Sequence, residues 1–303
     1  MEIGRSALAR DEGADRRVQP DRDRRAGARS THSPGGAGLI LLAWLLAAAL
    51  VVFLALPLGA LVERTGEELD GFDAATRTTL RQALTLSLVT TTIALGLTIL
   101  FGTPLAYLLA RRRFRGQKLV DTLVDLPIVL PPAVAGLALL MAFGRRGLVG
   151  EHLDAWGLGV SFSTEAVILA QLFVASPFYV RAARAGFARV TRDVEEAAAD
   201  LGAPPATVFR RITLPLIRPS LAAGAVLAWA RALGEFGATI MFAGNFAGRT
   251  QTMPLAIYGR YEAGDLGTAL LLSVVLVAAS LVILLAVRLL GGRGVDTVAD
   301  SRF

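Results

Sequence analysis

The chain has 303 residues, 54% of them hydrophobic and 18% charged, with a mean hydropathy of +0.56. Soluble domains carry about 25% charged residues, so this composition excludes an ordinary water-soluble domain. The formal net charge is +6, Cys is absent and His numbers 2; disulfides, thiol nucleophiles and Cys-based metal sites are excluded, and a His-centred metal or acid–base site is disfavoured.

Residues 1–38 mix eight Arg with six acids, Gly, Pro and Ser and show almost no apolar periodicity. They are expected to form a disordered cytoplasmic arm. Two readings stand for it, a solvated tail that helps to fix topology and a lipid-binding or regulatory segment. About 20 apolar residues cross a bilayer as a helix. The stretch 39–62 satisfies this and, at 24 residues, is too long for a signal-peptide core, so it is expected to be a retained first span. Further spans are expected over 82–110, over 126–144 with Pro127, Pro131 and Pro132 bending it, over 166–180 with its flanking turns, over 219–243, and over 266–287. The fold class is therefore all-α, a polytopic inner-membrane protein with about six transmembrane helices. The permease domain is expected over 39–293, with a short cytoplasmic tail at 294–303.

Six spans put both termini on one side. Lys and Arg number 23 in the arm, the second and fourth loops and the tail, against 7 in the opposite loops. The positive-inside rule then places both termini in the cytoplasm, and the basicity reports orientation rather than nucleic-acid binding. No internal repeat suggests the inverted halves of many secondary transporters.

The loop 188–218 is patterned. Asp193 can cap a helix carrying Glu196, Ala197 to Ala199 favour helix, and Gly202 is placed to end it in the left-handed region. Pro204 and Pro205 suit the start of a second short helix, which is expected to stop before Pro215. Such a helix–Gly–helix knuckle could seat in another protein, its alanines allowing close approach and Glu196 meeting a basic partner. It could equally be an amphipathic hairpin on lipid.

Glu196-Ala197-Ala198, then Gly202, then Ile212-x-Leu214-Pro215, resembles the EAA loop of ABC importer permeases at every marked position. The resemblance implies the transmembrane domain of a type I importer, in which Glu195, Glu196, Ala197, Ala198, Gly202, Pro205, Leu214 and Pro215 couple it to a separate ATPase. It also implies a dimer of those ATPases, which alone bind ATP and Mg, a second permease copy, and a soluble substrate-binding protein. No cofactor is expected in this chain. Three further segments, LPIVLPPAVAGLALLMAFGRRGLVG (126–150), ALGEFGATIMFAGN (232–245) and GRTQTMPLAIY (248–258), resemble the permeases for molybdate and tungstate. Sulfate and thiosulfate permeases share the second and the Pro-rich span.

A dianion requires polar donors along its route, because an unpaired charge in low dielectric is costly. Thr85, Ser87, Thr90, Thr91, Thr92 and Thr98 of the second span are candidates, although Thr in a membrane helix commonly bonds to its own backbone. Arg231 and Glu235, four apart, are expected on one helix face, as an anion lure with its counter-charge or as a self-neutralising packing pair. Thr239 and Asn245 close that span, and Arg249, Thr250, Gln251 and Thr252 are expected to gate the outer mouth, to meet the binding protein, or to form an ordinary solvated loop. The chain has no Gly-x-x-x-x-Gly-Lys-Ser/Thr loop, so it is expected not to be an enzyme and to depend on its partner's ATP hydrolysis. An ion-coupled secondary transporter is the alternative of another class. An intramembrane enzyme lacks its nucleophile or metal set.

Overall fold

The computed structural model describes residues 34–67 and 73–291. The expected arm over 1–33 and the tail over 294–303 lie outside them. Residues 34–38, assigned above to the arm, instead begin a helix, α1 (Pro34–Glu67). Among the described residues every regular element is helical. The chain divides into two compact units, 1–56 and 57–303. In the first, the described residues form only α1, apolar on all sides and exposed from Gly38 onward, which is the character of a helix that meets lipid.

The second unit begins with the end of α1 and continues with α2 (Ala74–Arg111). Asp73 caps α2, its carboxylate accepting the Thr76 N–H at 2.7 Å. Thirty-eight residues make α2 about 57 Å long, more than a hydrocarbon core requires. The expected third span is not one bent helix but two, α3 (Gln117–Val129) and α4 (Pro132–Phe143). Leu130 and Pro131 are extended between them, because consecutive prolines remove two N–H donors and a residue before proline is excluded from the helical region.

After the short α5 (Gly150–Ala155), α6 (Thr164–Arg189) starts at a Ser163 cap. Then come α7 (Arg192–Asp200), α8 (Pro205–Val208), a π-helical turn (Phe209–Thr213), α9 (Leu214–Leu233), α10 (Gly237–Ala243), α11 (Met253–Glu262) and α12 (Leu266–Gly291). The fifth expected span is likewise divided, with α9 ending at Leu233 and α10 resuming at Gly237. Among the described residues five helices are long and apolar enough to cross a membrane, 38–67, 74–111, 164–189, 205–233 and 266–285.

Helix α6 is the axis of this unit. Ala175, Tyr179, Ala183 and Phe187 face α2 and α9, while Ala166, Val167, Ala170 and Val174 face α4 and α10. Without a hydrophobic drive in lipid, close backbone approach through small residues supplies the association. A Cβ on Gly224 of α9 would stand 2.7 Å from the Ala182 Cβ, and one on Gly186 of α6 would stand 2.7 Å from the Ser220 Cβ. Gly224→Leu is therefore expected to separate α6 from α9 at a cost of about 3 kcal/mol. A lowered Tm of the purified protein in detergent checks this, and an unchanged Tm would show that the crossing tolerates bulk.

Candidate functional site

Two regions hold most of the expected site residues, the knuckle between α6 and α9 and the pair of interruptions in the third and fifth spans. In the knuckle, α7 is preceded by Thr191, which makes no side-chain cap bond, so Asp193 is not the cap but lies in the first turn, favourable to the helix dipole. The helix ends in a Schellman arrangement, with Gly202 N–H donating to Ala199 O at 2.8 Å and Ala203 N–H donating to Ala198 O at 3.1 Å. Gly202 sits at φ +85°, and nothing lies within 4 Å of the place its Cβ would take. Pro205 opens α8.

The second short helix does not stop before Pro215. The π turn lets the chain run from α8 into α9, with Leu214 and Pro215 as the first residues of α9. Within the π turn the bond pattern slips by one residue, Leu214 N–H donating to Phe209 O, and this wider turn accommodates the Pro215 ring.

Glu195 and Glu196, adjacent in sequence, point about 100° apart. Glu196, Ala197 and Ala199 are exposed, and Ala198 is half-buried. Glu195 turns inward, with its Oε1 2.9 Å from Arg111 Nη2 and accepting the Thr213 hydroxyl at 2.6 Å. A cavity of 420 Å³ lies beside this contact, lined by Arg111, Arg112, Arg192, Glu195, Glu196 and Phe209 among others.

At the interruptions, the start of α10 meets the start of α4. A Cβ on Gly237 would lie 2.5 Å from the Pro132 Cβ, and one on Gly136 would lie 2.6 Å from the Ala238 carbonyl oxygen. Arg231 and Glu235 are not on one helix, since Glu235 stands in the gap after α9, yet they pair at 2.7 Å. The second Glu235 oxygen accepts the Ala238 N–H at 2.7 Å and so caps α10. Glu235 has 1% of its side chain exposed and Arg231 has 31%. Both carboxylate oxygens are engaged locally.

The remaining expected residues separate by environment. Thr250 is buried and closes its own loop, its hydroxyl accepting the Phe246 N–H and donating to the Gly244 carbonyl. Arg249 is exposed and Gln251 half-buried. Thr239, Asn245 and Thr252 each keep a buried oxygen without a hydrogen-bond partner among the described residues. In α2, Thr90, Thr92 and Thr98 donate to carbonyls of their own helix at 2.7–2.8 Å. Thr91 accepts from Gln171 Nε2, and Ser87 accepts the Met253 N–H. Thr85 lines a cavity of 630 Å³ together with Arg77, Arg81, Gln82 and Gly248.

Sequence reasoning missed Arg111, Thr213 and Gln171. Gln171, as an uncharged polar residue in the fourth span, was a usable signal. Arg111 was one of five cations in 111–118 and nothing local set it apart.

The crossing helices, the interrupted spans and the knuckle define a multi-pass membrane protein of the transporter-subunit class. A family model described as binding-protein-dependent transport system inner membrane component matches residues 102–293, and the chain belongs to that family. It is 46% identical over 235 residues to the molybdenum transport system permease protein ModB of Mycobacterium tuberculosis, a match covering 77% of this chain and 88% of that protein. The ModB of Escherichia coli K12 is 44% identical over 207 residues, covering 67% of this chain and 90% of that one. The sulfate permease CysT of Salmonella typhimurium is more distant, 36% identical over 244 residues, covering 80% and 88%. The fold is shared with a bacterial ABC transporter involved in alginate import, with a TM-score of 0.65 at 20% identity over 85% of this chain and 96% of that one.

Proposed function

We propose that this chain is the membrane-spanning subunit of an ATP-driven importer for molybdate, or the similar tungstate, working by alternating access. The observation that carries the reading is the 46% identity to a molybdenum permease along 77% of the chain, against 36% to a sulfate permease. The exposed Glu196 and Ala197 and the Gly202 elbow are the surface offered to a partner ATPase. The chain itself does not hydrolyse ATP; ATP and Mg belong to the partner. A dimer of ATPases has two clefts and this chain has one knuckle, so two copies of the chain assemble. Both termini lie in the cytoplasm, the side that carries 23 of the Lys and Arg residues.

A soluble binding protein docks on the opposite face, near Arg249 and Gln251. The junction of α4 with α10 is the gate. Thr239 and Thr252 line the route beside it and offer their unpartnered hydroxyls as donors to the anion.

The test is uptake into proteoliposomes holding the permease, its ATPase and the binding protein. Molybdate uptake is expected to require ATP inside the vesicle-accessible compartment and to persist in excess sulfate. Uptake that runs without ATP would reassign the chain to ion-coupled transport, and equal inhibition by sulfate would reassign the cargo.

A further inference from the structure

We infer that Glu195, Arg111 and Thr213 form the joint that carries a displacement of the knuckle into the membrane helices, with Glu195 as its positioning residue. The inference rests on the coupling reading above and assigns the inner half of that site. Helix α7 buries none of its residues, so apolar packing does not hold it to the bundle. Its firm attachment is polar. Glu195 Oε1 binds the last residue of α2 through Arg111 Nη2 at 2.9 Å and the last residue of the π turn through the Thr213 hydroxyl at 2.6 Å. One carboxylate thus ties α7 to α2 and to the head of α9. Arg192 adds a longer bond, 3.3 Å, to the Arg111 carbonyl.

The environment makes this pair stiffer than a surface ion pair. Arg111 has 11% and Glu195 25% of the side chain exposed, and Thr213 is buried at 1%. Less water and salt reach such a pair, so its attraction is screened less than that of an exposed one. Beneath it lies an aromatic cluster. Tyr107, one turn before Arg111, meets Phe187 of α6 at 5.3 Å and Phe209 of the π turn at 6.1 Å between ring centroids. The joint therefore sits where α2, α6 and the π turn are already locked together. A push on α7 reaches α2 and α9 through two short charge-assisted bonds, a contiguous physical route rather than spatial proximity alone. Glu196 is exposed at the rim of the cavity beside this joint, whereas Glu195 is the acid engaged in it.

The test uses the complete complex in proteoliposomes and reads molybdate taken up per ATP hydrolysed, with crosslinking from Ala198→Cys to the ATPase as the measure of docking. Glu195→Gln keeps an acceptor for Thr213 but loses the charge pairing, and is expected to lower uptake per ATP about tenfold, the scale of a contact coupling, while the crosslink persists. Thr213→Val, which keeps the shape and removes the donor, is expected to lower it about threefold. The swapped pair Arg111→Glu with Glu195→Arg should recover most of the ratio, which a purely structural defect would not do. An unchanged ratio in Glu195→Gln or in Thr213→Val, with the crosslink present, overturns the joint. Should Glu195→Gln fail to assemble, Thr213→Val and the swapped pair decide. A complex that carries Ala198→Cys as its only change in this chain and never crosslinks the ATPase overturns the coupling reading itself, a result distinct from failure of the joint.

Discussion

Arg231→Ala is expected to destabilise the permease by about 3 kcal/mol and to reduce transport in proportion to the folded protein lost. The reason is the environment of its partner. Glu235 has 1% of its side chain exposed, and among the described residues Arg231 supplies its only ion pair, at 2.7 Å. Removing the cation leaves a buried carboxylate in the gap between α9 and α10 with only the Ala238 N–H to compensate it. Glu235→Gln should be milder, because the amide oxygen still accepts the Ala238 N–H. Combining Arg231→Met with Glu235→Gln should recover much of the loss, since a neutral pair leaves no orphaned charge. Thermal unfolding in detergent beside uptake normalised to folded protein checks all three. If Arg231→Ala leaves the Tm unchanged but cuts normalised uptake tenfold, Arg231 serves the anion rather than the fold.

Gly202→Val is expected to uncouple ATP hydrolysis from uptake without preventing membrane insertion. At φ +85° a β-branched residue carries about 1–3 kcal/mol of strain. The free space around the position means that this penalty is conformational and not a clash. Relief requires the chain to leave the left-handed region, which breaks the bonds from Gly202 to Ala199 and from Ala203 to Ala198 and frays the end of α7. Uptake per ATP should fall about tenfold, comparable to the loss of one or two such bonds. Gly202→Asn, which tolerates this conformation, should retain more of it. An unaltered ratio in the Val variant would mean that the elbow does not transmit force.

Much of the knuckle was legible from residue types whose backbone preferences are local. Gly202 and Pro205 act where they stand in the chain, so their positions alone indicated a helix end and a helix start. Pro131 and Pro132 were equally visible, but the distinction between a bend and a break was not. That outcome depends on whether neighbouring helices can satisfy the freed carbonyls, and here α4 instead tilts its start against Gly237 of α10. The cap was misplaced by two residues, from Thr191 to Asp193, because both residue types suit the position and only the chain's exit from α6 selects between them. Pro215 reads as a terminator in the sequence because the π turn that admits it has no sequence signature.

The long apolar helices that include 39–62, 82–110 and 266–285 and the elbow at Gly202 followed from the sequence by itself, because hydrophobic length and the φ preferences of Gly and Pro are properties of short stretches of chain. Tertiary structure alone decided which of two adjacent glutamates faces inward, that Glu235 caps α10 while neutralising Arg231, and that Arg111 reaches Glu195 across 84 positions. Those outcomes are set by which helices pack side by side, and in lipid that choice depends on small-residue contacts such as Gly224 on Ala182, which carry no periodic signal in the chain.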